Sequence, residues 1–299
     1  MRTPLPAIDR LATLLLLGAA ALSGCVAATD VKPPVREHRV ASGDGATLHW
    51  WERGRGATTV LLIHGWTCDA TFWDAQVDAL AARYRVVTLD LAGHGFSGVP
   101  QRRWTIAEFA DDVVRVADAA RAKRIVLVGH SMGGPVAIEA AKRLGSRVVG
   151  VIGVDTLPDV GTRLPPEEWE RRLAPFRADF PGAVRGFVSQ AFFTPATTPA
   201  LRTRILDTMS SARPDVALPA IVGLNDWDPA AAFAGFDVPL VLLNATSSRT
   251  NVEALLRLAP GARVRTFDGV GHFLMMEQPQ PFNAVLLEEL ARLGQPAGG

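Results

Sequence analysis

Residues 129–134 read Gly-His-Ser-Met-Gly-Gly, a serine with a glycine two positions to either side. They follow the apolar run 124–128 and open a stretch of helical spacing over 131–144. G-x-S-x-G between a strand and a helix describes a sharp turn that lifts the Ser131 hydroxyl above a sheet. Side chains at the flanking positions would collide with strand and helix, so glycine stands at both. A hydroxyl held this way can attack a carbonyl once a neighbouring base takes its proton. The oxyanion that then develops needs donors, and the backbone N–H of Met132, at the helix N-terminus, faces the reacting group. His64-Gly65-Trp66, directly after the apolar run 59–63, offers a second donor in the N–H of Trp66. Of the six histidines only His272 lies C-terminal to Ser131, in Gly269-Val270-Gly271-His272-Phe273, which makes it the candidate base. His64 reads as a buried structural histidine. Cys68, four residues on, reads as a small buried residue with no base to pair with.

These residues need a frame to hold them. Short runs rich in Val, Ile and Leu occur at 59–63, 85–89, 124–128 and 148–154. Apolar runs without alternation suit a parallel sheet covered on both faces. The segments 71–83, 106–121 and 131–144 have helical spacing, with Val113, Val116, Ala117 and Ala120 on one face. Ahead of them, 36–41 and 46–53 flank Ser42-Gly43-Asp44-Gly45 and read as an antiparallel hairpin. The repeated β-α-β pattern predicts a mostly parallel, doubly wound α/β sheet. The rhythm lapses over 158–237. There Trp169, Phe176, Phe180, Phe187, Phe192 and Phe193 sit on short helical patterns broken by Pro175, Pro181 and Pro195, which predicts an inserted helical cap. Strands at 239–243 and 263–267, with helices at 251–258 and 281–292, complete the pattern.

Composition narrows the class further. The 299 residues are 48% apolar and 20% charged, which excludes an intrinsically disordered chain. The 31 basic and 30 acidic residues nearly cancel and leave no electrostatic footprint for nucleic acid. Cys25 and Cys68 are too few for a disulfide scaffold or a cysteine-built zinc site. At the N-terminus, Arg2 and Arg10 precede an apolar run over 11–21. That run is well short of the ~20 residues a bilayer-spanning helix takes, so residues 1–24 read as a signal peptide. Leu22-Ser23-Gly24-Cys25 resembles a bacterial lipobox, whose cysteine is lipidated and becomes the mature N-terminus; an ordinary secretory leader is the alternative. Val26 follows, and by the same resemblance an outer-membrane anchor is expected where the host has such a membrane. Removing 1–24 leaves equal numbers of acidic and basic residues, so acyl chains rather than a basic patch would carry the anchor. Residues 25–35 then form a tether, and the expected product is an exported, membrane-anchored lipoprotein.

The HG loop at 64–65, the segment Asp90-Leu91-Ala92-Gly93-His94-Gly95-Phe96-Ser97-Gly98, the turn at 129–134 and the terminal Gly-x-Gly-His together resemble the α/β-hydrolase superfamily. The resemblance spans roughly 36–294. It implies a core of 36–157 and 238–299 around the cap at 158–237, with the Asp90 segment a structural loop. It further implies a serine-histidine-carboxylate triad, and here the pattern departs. Members usually place the acid after the strand that follows the cap, in a sequence like Gly-x-x-Asp. Residues 243–251 of this chain read Leu-Asn-Ala-Thr-Ser-Ser-Arg-Thr-Asn, without a carboxylate. Asp155, which ends the run 148–154, is the leading candidate for the carboxylate that fixes the imidazole tautomer. Asp159 and Asp226 are the alternatives, and Asn251 is too weak an orienter. The expected activity is hydrolysis of a carboxylic ester of small to medium apolar groups, through an acyl-enzyme on Ser131 and without metal or organic cofactor. Trp66 and Phe273 are expected to line the substrate pocket. Cleavage of an amide, a carbon–carbon bond or a long-chain lipid ester would use the same groups, and a non-catalytic binding lipoprotein is the competing class.

Overall fold

A computed structural model describes residues 34–162 and 164–294; the expected leader, Cys25 and most of the tether lie outside the described residues. Two strands open the chain, β1 (Arg36–Ala41) and β2 (Thr47–Arg53), paired antiparallel as a hairpin. Then follow β3 (Thr59–Ile63), α1 (Asp74–Leu80), β4 (Arg85–Leu89), α2 (Ile106–Ala119), β5 (Ile125–His130), α3 (Gly133–Leu144) and β6 (Val148–Val154). Five helices come next: α4 (Pro166–Ala178), α5 (Phe180–Ala191), α6 (Pro199–Ser210), α7 (Pro214–Asp226) and α8 (Pro229–Phe233). The chain ends with β7 (Leu240–Ala245), α9 (Val252–Leu258), β8 (Arg263–Phe267), α10 (Leu274–Glu277) and α11 (Pro279–Leu293). The strands form one eight-stranded sheet in the order β1-β2-β4-β3-β5-β6-β7-β8. From β4 onward all neighbours run parallel. This is the mostly parallel, doubly wound α/β sheet that the apolar runs predict and the fold that the motif resemblance implies, and every residue of β3, β5 and β7 is buried.

Register decides where the chemistry sits. Strand β3 is followed by β4 on one side and flanked by β5 on the other, so the winding direction switches there and leaves a crevice beyond the strand ends. Ile63 pairs with Gly129, His130 with Val154, Val154 with Leu243, and Ala245 with Phe267. The loops after β3, β5, β6, β7 and β8 therefore leave the sheet side by side.

Helix α2 shows why the outer layer holds. Thr105 and Glu108 cap its N-terminus reciprocally, and Val113, Val116 and Ala117 are buried on its inner face. Asp112, also buried, receives two hydrogen bonds from the Arg102 guanidinium, at 3.0 and 2.7 Å, and one from the Ala92 N–H at 3.2 Å. The pair ties α2 to the loop that follows β4.

One expectation is corrected within the inserted helices. Pro181 starts α5 and Pro195 lies in a turn, but Pro175 sits inside α4 and does not break it. It falls in the last turn, so the missing donor costs one bond, to the carbonyl of the exposed Arg171, which water can serve. Among the described residues no helix is long and apolar enough to cross a membrane. Replacing Asp112 with Ala would take both short bonds from the buried Arg102 side chain and leave it the longer one to Asp44, at 3.3 Å. Urea unfolding should then show a loss of up to about 3–5 kcal/mol, and a loss below about 1 kcal/mol, the range of an exposed pair, would contradict this account.

Candidate active site

Ser131 occupies the turn between β5 and α3 with φ +51°, a left-handed conformation that a non-glycine residue adopts only when its surroundings impose it. They do so here through a chain of bonds. The Ser131 N–H donates to the Val154 carbonyl (3.0 Å), while its own carbonyl accepts from the Gly134 N–H (2.9 Å) and the Thr156 hydroxyl (2.7 Å). A Cβ on Gly129 would lie 2.0 Å from the Gly133 carbonyl oxygen, so strand and helix can approach this closely only with glycine there.

Asp155 follows β6 directly, also at positive φ (+42°), and is buried. Three donors surround its carboxylate. The Nδ1–H of His272 donates to Oδ2 at 2.6 Å, the Ser248 hydroxyl lies 2.7 and 2.9 Å from the two oxygens, and the Ala245 N–H donates to Oδ1 at 2.8 Å. Burial pushes the Asp155 pKa up, but the His272 and Ser248 bonds and the Ala245 N–H outweigh it and hold the carboxyl below the usual range. It stays ionised at neutral pH. With Nδ1 committed to Asp155, the second imidazole nitrogen of neutral His272 carries the lone pair. The two alternatives are both exposed. Asp159 is an exposed turn carboxylate that accepts from the Gly161 N–H at 3.0 Å, and Asp226 is exposed at the end of α7. Asn251 caps α9.

Ser131, Asp155 and His272 all border a cavity of about 660 Å³ between the strand ends and the inserted helices. Trp66, Met132 and Phe273 border it too. Trp66 is buried, and its indole N–H donates to the Ala217 carbonyl of α7 at 2.7 Å. The loop carrying it presses on the serine turn: a Cβ on Gly65 would sit 3.1 Å from that of Ser131. Met132 is fully buried at the start of α3. Phe273 is fully buried and packs on Phe72, with ring centroids 5.6 Å apart, so it is as much core as wall. Among the described residues no group of His, Cys, Asp or Glu is arranged to hold a metal ion.

The other motif residues are structural. His64 accepts the Leu91 N–H at Nε2 (3.0 Å) and donates from Nδ1 to the Gly65 carbonyl (2.8 Å). Asp90 accepts the N–H groups of Ala70 and Phe96. Cys68 is buried beside the cavity, and burial pushes its thiol well up, so it remains protonated. Two contributors are invisible to motif reading. Ser248 lies in the carboxylate-free run after β7, where a cluster of short hydroxyl side chains is the only signal. Phe192, from the inserted helices, stacks on His272 and belongs to no motif, only to the aromatic pattern noted above.

Three comparisons place this geometry among known proteins. The model of the "Alpha/beta hydrolase family" matches residues 60–285. The chain belongs to the α/β-hydrolase family. It is 30% identical over 262 residues to the dihydrolipoyllysine-residue acetyltransferase component of the acetoin cleaving system of Cupriavidus necator, covering 85% of this chain and 69% of that one. It is 30% identical over 259 residues to the pimeloyl-[acyl-carrier protein] methyl ester esterase of Sodalis glossinidius, covering 81% and 97%. Among solved structures it is similar to a thermophilic esterase from Thermogutta terrifontis, with 26% identity and a TM-score of 0.76 over 87% of this chain and 100% of that one. Several of these relatives are thus esterases or hydrolases by name, and one is an acetyltransferase component.

Burial of histidines makes this family member sensitive to acid: the pKa of His64 is lowered by burial, and two others are lowered further. Burial lowers the pKa values of His94 and of His130, the residue before Ser131, from 6.5 to about 3. In both cases a neighbouring histidine adds to the effect: His64 beside His94, and His272 beside His130. The unfolded chain binds protons that the folded one refuses, so stability must fall as pH drops through the ordinary imidazole range. Each histidine contributes a slope of up to about 1.4 kcal/mol per pH unit between its two pKa values. Urea unfolding between pH 6.5 and 4 should show this decline, and His94→Phe should remove one proton's share of the slope. An unchanged slope would contradict the assignment.

Proposed function

We propose that the protein is a serine hydrolase that cleaves carboxylic esters through an acyl-enzyme on Ser131. The observation that carries this reading is the Asp155–His272 pair: a buried, ionised carboxylate holds an imidazole by Nδ1 beside the cavity that Ser131 borders. His272 takes the Ser131 proton as Oγ attacks the carbonyl, and the proton passes to the leaving alcohol as the acyl-enzyme forms. Water, activated by the same imidazole, then releases the acid and regenerates the serine. Asp155 keeps the tautomer and stabilises the imidazolium without accepting the proton. The backbone N–H groups of Trp66 and Met132 hold the oxyanion. Residues 158–237 act as a cap, and a cavity of about 660 Å³ walled by Trp66, Phe273 and the cap aromatics suits small to medium apolar acyl or alcohol groups. The esterase names of several relatives support the ester over other acyl bonds.

Labelling by a fluorophosphonate probe tests the chemistry. The folded wild type should label, Ser131→Ala should not, and Asp155→Asn should lose roughly a thousandfold or more in kcat with the fold intact. Near-full activity of Asp155→Asn would remove that residue from the triad. An unlabelled wild type, also silent toward a small permeant phosphonate, would favour the non-catalytic binding lipoprotein.

The location belongs to the same proposal. Residues 1–24 serve as an export signal and Cys25 as the lipidated N-terminus, on the strength of the charged start, the short apolar run and the Leu-Ser-Gly-Cys sequence. An outer-membrane site is proposed where the host has one. Cys25→Ser should release the protein from the membrane fraction or block processing, and unchanged fractionation and mass would refute the anchor.

A further inference from the structure

Phe192 caps the C-terminal end of α5 and so belongs to the inserted helices, yet it grips the loop that carries His272. Its ring lies almost flat on the imidazole, with centroids 4.0 Å apart and planes 26° from parallel. Its carbonyl accepts the His272 backbone N–H at 2.9 Å. The same carbonyl crowds the preceding residue, since a Cβ on Gly271 would lie 2.2 Å from it. His130 adds a second ring 4.6 Å from the imidazole, and its Nε2–H donates to the His272 carbonyl at 2.9 Å. Both backbone polar groups of His272 are therefore taken, one of them by the insertion.

From Phe192 the contacts continue back toward the other side of the cavity. Phe187 meets Phe192 edge-on at 5.0 Å, Phe176 meets Phe187 at 5.9 Å, and Trp66 meets Phe176 at 6.1 Å. Trp66 is itself tied to α7 by the indole bond to Ala217. The insertion thus holds the loop with the base at one end and the loop with the oxyanion donor at the other.

We infer that Phe192 is a positioning residue: its ring and carbonyl set the orientation of the His272 imidazole toward Ser131. The inserted helices then complete the catalytic geometry as well as walling the pocket. This rests on the reading of Ser131 and His272 as nucleophile and base. The ring torsion of histidine is broad, and a single bond at Nδ1 leaves the imidazole free to rock. A flat aromatic face against it removes that freedom. When His272 takes up the serine proton the same face meets a cation, which an aromatic ring stabilises.

The test separates this role from ordinary packing by comparing Phe192→Leu with Phe192→Tyr in the full chain, using p-nitrophenyl acetate. Phe192→Leu should lose about 10- to 100-fold in kcat with KM within about twofold, the signature of a misplaced reacting group. Phe192→Tyr keeps the aromatic face and should stay within about threefold of wild type in kcat. Thermal midpoints of the two variants should be alike. Histidine-ring NMR of the unliganded protein gives a readout independent of turnover, with His272 assigned by difference from His272→Gln. The His272 ring C–H signals should be shifted upfield by the Phe192 ring in wild type and Phe192→Tyr, and should relax downfield in Phe192→Leu. Wild-type kcat in Phe192→Leu, equal losses in both variants, an effect on KM alone, or an unmoved His272 signal would each overturn the inference. An inactive wild type would instead sink the esterase reading, and the NMR comparison would still decide whether Phe192 orders the imidazole.

Discussion

A carboxylate buried at the end of β6 is costly unless its charge is met, and the arrangement of the site follows from meeting it. Asp155 is satisfied by an imidazole from the loop after β8, a hydroxyl from the turn after β7 and the backbone N–H of Ala245. Those donors come from successive neighbours in the sheet, so the strands must end level with one another, as the pairing of Val154 with Leu243 and Ala245 with Phe267 ensures. Removal of any one donor would leave part of a buried charge bare. The positive φ of both Ser131 and Asp155 belongs to the same economy. Each strained residue turns the chain sharply at a strand end, and the Ser131 N–H to Val154 carbonyl bond ties the two turns together.

The inserted helices are bound into this arrangement rather than resting on it. Among their contacts with the core are the His272 imidazole and the Trp66 loop. Aromatic rings suit such a junction because they bring large contact area with few rotatable bonds. The sheet supplies the strand ends, and the insertion supplies an aromatic face against the imidazole.

Much of the frame was legible because local physics writes it. Continuous apolar runs marked β3 through β6, and the glycine spacing around Ser131 placed the sharp turn between β5 and α3. Boundaries moved where tertiary contacts extend an element: β5 runs on to His130 because that residue pairs with Val154. Pro175 misled because proline is disruptive in a helix interior but tolerable in a last turn beside solvent. The carboxylate was the harder problem. Asp155 led over Asp159 and Asp226 because it ends a strand, and burial and register then set the one that meets His272 apart from the two left exposed. Ser248 and Phe192 carried no motif because each acts through a partner remote in sequence.

The sequence by itself determined the elements and the reactive groups: a parallel sheet, a serine on a glycine-flanked turn, a late histidine and a loop able to offer a second N–H. Those are local properties, set by side-chain volume, backbone freedom and periodicity within a few residues. Tertiary structure alone decided which carboxylate is held by the imidazole, which hydroxyl supports it and which aromatic lies against it. Those are matters of distance between strand ends and inserted helices, and distance between remote segments is settled by the packing of the whole core.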